Sequence, residues 1–221
     1  MLSAALVFFM QAGFCCLESG SVRSKNSINV AAKNFGGFCV AATVFLLLGL
    51  GLLGFGLMFG ESRDGILGHT GFFADPDDPS RLAFFVFQLM FCGTVTTMVS
   101  GAIAERAKYP DYLVITALVA LIIYPVFGHW SWASGPDGPH GWLGEIGFVD
   151  FAGGSVVHYI AGWVSLAAVL IIGPRRGRYE NPDEAFCSYS LPLTALGVIV
   201  IWIGWIGFNG GSTLAFNEKS R

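Results

Sequence analysis

The sequence predicts an all-α protein that lies in a membrane, and three observations carry this. Of its 221 residues, 54% are hydrophobic and only 12% are charged, against about 25% charged in a soluble globular domain. Apolar stretches long enough to cross a bilayer recur along the whole length. Glycine occurs thirty times and phenylalanine twenty times, and glycine is more frequent in membrane helices than in soluble ones. The chain is therefore read as one multi-pass membrane domain over residues 1–221, with no soluble domain and no low-complexity segment. The net charge of −3 decides little, because in a membrane protein the distribution of charge matters more than its sum.

Six spans follow in order. The first runs from Leu2 to about Leu17. It has no charged leading segment and no small-residue cleavage site, so it is not read as a signal peptide. The second runs from about Phe38 to Phe59, the third from Leu82 to Ala104 and the fourth from about Leu113 to Trp132. The fifth is Phe151 to Ile172, which stops at Pro174-Arg175-Arg176, and the sixth is about Leu191 to Leu214. Glycines in the second span (Gly49, Gly51, Gly54, Gly56) and the sixth (Gly204, Gly207, Gly210, Gly211) predict close helix packing. The pair Gly210-Gly211 also weakens the last helix near its end.

The connections set the orientation. Arg23, Lys25 and Lys33 follow the first span, Arg106 and Lys108 the third, and Arg175, Arg176 and Arg178 the fifth. The alternate connections differ. Glu61 to Arg81 holds Asp64, Asp75, Asp77 and Asp78, with Pro76 and Pro79, and reads as an ordered external loop; Ala133 to Asp150 holds no Lys or Arg. The positive-inside rule then puts the N-terminus outside, and the sixth span ends outside near Phe216.

Few residues in this sequence can carry chemistry. Asp150 stands eight residues before His158, about 12 Å along a helix at roughly 1.5 Å per residue. An acid at a helix start caps free N–H groups. An imidazole inside a span is a functional candidate: in its neutral form it donates one hydrogen bond and accepts another, which suits relay of a small polar molecule or a proton. Phe84, Phe87, Gln88 and Phe91 share one helical face. They are either packing aromatics or a ring stack closing a pore, and Gln88 draws that face toward the bundle interior. Trp130 and Trp132 end the fourth span, either as an interfacial belt or as a cation–π platform. Glu18 and Glu105 read as paired structural charges, and His69, His129 and His140 as solvated residues in or beside external loops. Cys15, Cys16, Cys39 and Cys92 read as small hydrophobes, and Cys187 lies in a loop. There is no Ser–His–Asp arrangement and no second metal ligand four residues after His158, where Gly162 stands. No enzyme activity, metal, cofactor or nucleic-acid partner is read.

Together these stretches resemble the ammonium transporter (Amt/Mep/Rh) family. Asp150-Phe-Ala-Gly-Gly-Ser-Val-Val-His158 is similar to the family signature. So are Met10-Gln-Ala-Gly-Phe-Cys-Cys-Leu-Glu18-Ser-Gly with Arg23-Ser-Lys-Asn26, Phe87-Gln-Leu-Met-Phe91 with Gly101-Ala-Ile-Ala-Glu-Arg106, and Gly204-Trp-Ile-Gly-Phe208-Asn-Gly-Gly-Ser212. The resemblance covers essentially the whole chain in the family's order, nearer the bacterial and plant Amt branch than the Rh branch. It implies that Trp132 and Ser212 form an outer ammonium recruitment site with Phe87 beside it, and that Phe91 and Phe208 form the gate. It implies that His158 is the first of two pore histidines and Asp150 a structural acid of the vestibule. It further implies passage of ammonium or ammonia across the cell membrane, a homotrimer in lipid with one pore per subunit, and a cytosolic PII protein on the inner face. Family members are built from two inverted five-helix repeats and a last helix. This chain corresponds to the first repeat and the first helix of the second, so the expectation is an incomplete transporter that lacks the partner of His158 and does not conduct alone. The alternatives are an ammonium sensor module and a non-functional fragment.

Overall fold

The computed structural model describes residues 1–47, 53–62, 64–70, 78–133, 141–180 and 187–214, and among these all regular structure is helical. Gly49, Gly51, Asp75, Pro76, Asp77, His140 and the predicted end of the last span at Phe216 lie outside the described residues. The helices are α1 (Leu2–Ser21), α2 (Ser24–Leu47), α3 (Leu53–Phe59), α4 (Pro79–Ala102), α5 (Tyr109–Trp132), the short α6 (Trp142–Glu145), α7 (Gly154–Ile172) and α8 (Leu191–Gly211). Six of them, α1, α2, α4, α5, α7 and α8, are long and apolar enough to cross a membrane.

The largest departure from the sequence reading is at α2. It starts at Ser24 rather than near Phe38, and α1 reaches Ser21, so only Val22 and Arg23 separate them. Lys25 and Lys33 therefore stand on a helix, not in a loop. The segment looks like a loop because it is polar, but partners in the bundle engage several of those polar groups. Lys33, 1% exposed, donates Nζ to Ala107 O at 2.5 Å, and Asn34 donates Nδ2 to Glu18 Oε2 at 2.8 Å. Pro79 and Arg81, read as loop, belong to the first turn of α4. There Asp78 Oδ1 accepts from the Ser80 and Arg81 N–H groups at 3.0 Å, and Pro79 takes an early position where its missing N–H costs nothing. In α5 the ladder switches to a π-helical turn over Val119–Ile123, just before Tyr124-Pro125. A proline lacks the N–H and clashes with the carbonyl four residues back, and a widened turn relieves both.

The centre of the bundle is α4. From Met90 to Thr97 every residue is buried, because α1, α2 and α7 pack around it. Its threonines do not disturb that core: Thr94 Oγ1 donates to Met90 O at 2.9 Å, and Gln11 of α1 bridges Thr94 and Thr97 at 3.2 and 2.8 Å. The most extensive helix pair is α1 with α8. Glycines make it possible: a Cβ on Gly197 would stand 2.4 Å from Leu17 N, and one on Gly13 would stand 2.9 Å from Ile201 N. Two backbones come this close only across residues without side chains.

At the arginine-rich end a carboxylate ties three connections together. Glu105 has φ 63, rare for a non-glycine residue, and its side chain is 0% exposed. Its Oε1 accepts from Arg23 Nε at 2.9 Å, Asn26 Nδ2 at 2.6 Å and the Arg23 N–H at 3.2 Å, while Oε2 accepts from Arg175 Nη1 at 3.0 Å. Burial alone would push this carboxyl up. The hydrogen bonds from Arg23 and Asn26, with the Arg23 charge, outweigh it and hold Glu105 below the usual carboxylate range. Glu105 is thus paired, though not with its neighbour Arg106. Glu18 differs from the reading as a paired charge: it is 7% exposed, and among the described residues its side chain accepts from the neutral Asn34 Nδ2 at 2.8 Å and Ser100 Oγ at 3.0 Å and has no salt-bridge partner.

Candidate functional site

Asp150 organises the entry to α7. Its Oδ1 accepts from the N–H groups of Gly153 and Gly154 at 2.8 and 2.9 Å, and Oδ2 from those of Ser155 and Val156 at 2.9 and 2.7 Å. Both oxygens are thereby occupied by donors that a helix start otherwise leaves unsatisfied. The turn requires Gly153, whose φ is 92 and where a Cβ would stand 2.6 Å from Val157 Cγ2. The helix begins at Gly154 and its first stretch, Gly154–Tyr159, is π-helical, with the His158 N–H bonded to Gly153 O at 3.0 Å. The interval from Asp150 to His158 is therefore a capping turn followed by a widened turn, not the uninterrupted helix assumed from spacing.

The Asp150 carbonyl fixes a second residue. Trp132 Nε1 donates to Asp150 O at 2.6 Å, which holds the indole at the end of α5. Trp132, Phe87, Gln88, Phe91, Asp150 and Ser212 line a cavity of about 290 Å³. Phe91 is the hub of its aromatic wall. Its ring centroid lies 4.6 Å from that of Phe87 and 6.2 Å from Trp132, and it stacks on Phe208 at 4.0 Å with 9° between the planes. Phe91 and Phe208 are each 1% exposed. Gln88 is buried beside them, with Oε1 accepting from Tyr124 Oη at 2.9 Å. Ser212 Oγ donates to Phe208 O at 2.8 Å, so its lone pairs remain to accept from a cation.

His158 stands beyond the stacked pair. Its ring centroid is 5.8 Å from Phe208 and 5.9 Å from Trp205. It lines a separate cavity of about 440 Å³ with Gly154, Tyr159, Gly162, Trp163 and Leu166, and no residue lines both cavities. Tyr159, Trp163 and Leu166 are 55%, 55% and 46% exposed, so this groove lies at the surface of α7. The arrangement brings together a chamber with aromatic faces and a hydroxyl acceptor, a stacked ring pair, and an imidazole beyond it.

The structure corrects the reading of His129 as solvated. It is 0% exposed on α5, and Nδ1 lies 2.9 Å from Met58 O. A carbonyl partner requires Nδ1 to carry the proton, and Nε2 is buried without a partner among the described residues. His69 is exposed. Trp130 is held by Nε1 donating to Ile66 O at 3.0 Å, apart from the chamber. Sequence reasoning missed the polar contacts between α1 and α4. Their signal was available: Thr94, Thr97 and Ser100 recur at helical spacing in an apolar helix, opposite Gln11 and Glu18.

Three comparisons place this geometry among known proteins. A model of the Ammonium Transporter Family matches residues 1–221. The chain is 42% identical to "Ammonium transporter Amt2" of Archaeoglobus fulgidus over 232 residues, which covers 99% of the chain and 47% of that protein. Among solved structures it is similar to a chain titled "Sensor Amt Protein" (TM-score 0.89, 42% identity, covering 99% of this chain and 55% of that one). It is also similar to the Candida albicans Mep2 structure, with TM-score 0.82, 28% identity, and 99% and 48% coverage. The chain thus spans about half the length of these relatives.

Proposed function

The chain belongs to the ammonium transporter family, and from that premise we propose that its outer chamber recruits ammonium for passage across the membrane. Trp132 and Phe87 supply aromatic faces, Ser212 a hydroxyl acceptor, the Phe91–Phe208 pair the gate, and His158 the first pore imidazole. Asp150 is the structural acid that shapes the vestibule. A bare ammonium ion is costly to bring into hydrocarbon, and aromatic faces in a desolvated site offset about 2 kcal/mol of that. The reading includes an N-terminus outside, as the positive-inside rule requires. It also includes a homotrimer and a cytosolic PII-type partner on the arginine-rich face.

The observation that carries the proposal is that Phe87, Phe91, Trp132 and Ser212 line one chamber while Phe208, stacked on Phe91, also meets the His158 ring. The test is binding of radiolabelled methylammonium to the purified chain in nanodiscs. Saturable binding is expected, about tenfold weaker in Trp132→Leu and weaker again when Ser212→Ala is added. Unchanged binding in the double variant would overturn the assignment. Flux is a separate matter: the His158 groove lies at an exposed face of α7, so liposomes carrying this chain alone are expected to show no saturable ammonium flux. A second reading, ammonium sensing, draws support from the similarity to the chain titled "Sensor Amt Protein"; it shares the chamber and differs in needing no flux.

A further inference from the structure

Of the residues that line the outer chamber, Gln88, Asp150 and Ser212 carry oxygen acceptors in their side chains. Two of the three are engaged before any ligand arrives. Each Asp150 carboxylate oxygen takes two backbone N–H groups. Gln88 Oε1 accepts from Tyr124 Oη at 2.9 Å. Ser212 Oγ donates to Phe208 O and keeps its own lone pairs. Tyr124 is not itself a lining residue. It is fully buried on α5, with its ring centroid 6.0 Å from that of Phe45, so the hydroxyl is carried by a ring with little freedom. A buried hydroxyl hydrogen left without an acceptor is costly, and among the described residues Gln88 Oε1 is the acceptor it has. Turning the amide over would set Nε2 against Tyr124 and strand that hydrogen.

An amide has its acceptor at one end and two donors at the other. Which end meets the chamber bears on ion choice. An ammonium ion is stabilised by aromatic faces and by an acceptor that takes one of its N–H groups. A potassium ion has no N–H to direct. It needs oxygen atoms to replace its water, as in filters built from rings of carbonyls. With Oε1 drawn back to Tyr124, the carbonyl that would serve potassium is withheld.

We propose that Tyr124 is a positioning residue for ion selectivity: by holding Gln88 Oε1 away from the chamber it denies potassium an oxygen ligand there, while ammonium keeps the aromatic faces and Ser212. The proposal rests on the recruitment reading and deepens it. The test is displacement of radiolabelled methylammonium by potassium from the full chain in nanodiscs, wild type against Tyr124→Phe, which keeps the ring and removes the hydroxyl. With its partner gone the amide is free to turn its oxygen to the chamber. The potassium inhibition constant is expected to fall about tenfold, the scale of one hydrogen bond to a charged group. Adding Gln88→Leu should cancel that gain. A loosened fold would weaken methylammonium and give potassium nothing. Gln88→Glu covers the case of a Tyr124→Phe chain that does not fold: one oxygen keeps the Tyr124 bond, the other faces the chamber, and potassium should again gain on methylammonium. Unchanged or weaker potassium inhibition in Tyr124→Phe, with methylammonium still bound saturably, overturns the proposal. So does a gain that survives Gln88→Leu, or no gain in Gln88→Glu. Absence of saturable methylammonium binding to the wild type would instead strike the recruitment reading, and the proposal with it.

Discussion

Two residues show how local chemistry decides this fold. At Gly153 the φ of 92 and the nearby Val157 side chain leave no room for a Cβ. Gly153→Ala should destabilise the chain by about 1–3 kcal/mol, read as a lower unfolding midpoint in detergent, with a larger loss for a β-branched residue. At Glu105 the sign of the pH effect follows from a carboxyl held below its usual range. A depressed folded value means that the unfolded state binds the proton more readily. The stabilisation is then fully present above the unfolded value of about 4.3 and is lost as pH falls through the folded one. Acid titration of the wild type should therefore show a loss of stability below about pH 4 that Glu105→Gln lacks, the variant being less stable at neutral pH. An identical acid limb in both proteins would remove Glu105 from that role.

Among the helices, the legible features were those written in periodicity and composition. The six apolar runs appear as helices because a span must satisfy its own backbone, and length with hydropathy reports that directly. The start of α2 was not legible, because Ser24 to Asn34 is polar and only its partners, Glu18, Glu105 and the Ala107 carbonyl, make it part of the bundle. The π-helical turns were invisible for a related reason: one answers Pro125, the other the Asp150 cap, and neither alters hydrophobic spacing. His129 was misplaced because its position near a helix end looks exposed, while Met58 from another segment covers it. The chamber was legible only through the family resemblance, since no spacing rule brings Phe208 of α8 onto Phe91 of α4. Packing between α1 and α8 gives its own prediction. Gly197→Leu would drive a side chain into the Leu17 backbone and should separate the two helices, read as a lower unfolding midpoint in detergent than that of the wild type.

For the molecule as a whole, orientation can be checked on a residue already present. Cys187 is exposed in the connection between α7 and α8, which the positive-inside rule puts in the cytoplasm. An impermeant maleimide should label it only after intact cells are permeabilised; labelling of sealed cells would invert the topology. The pairing of α1 with α8 also bears on biogenesis. Helix α1, made well before α8, has its principal neighbour at Leu191–Gly211, and synthesis at about 5–20 residues per second separates the two by on the order of 10–30 s. During that interval the glycine-notched face of α1 has no α8 to close against it. The ribosome and the insertion machinery thus set a waiting time that the finished bundle no longer displays. Arrested nascent chains should show α1 protected from cross-linking to lipid only once α8 has left the exit tunnel.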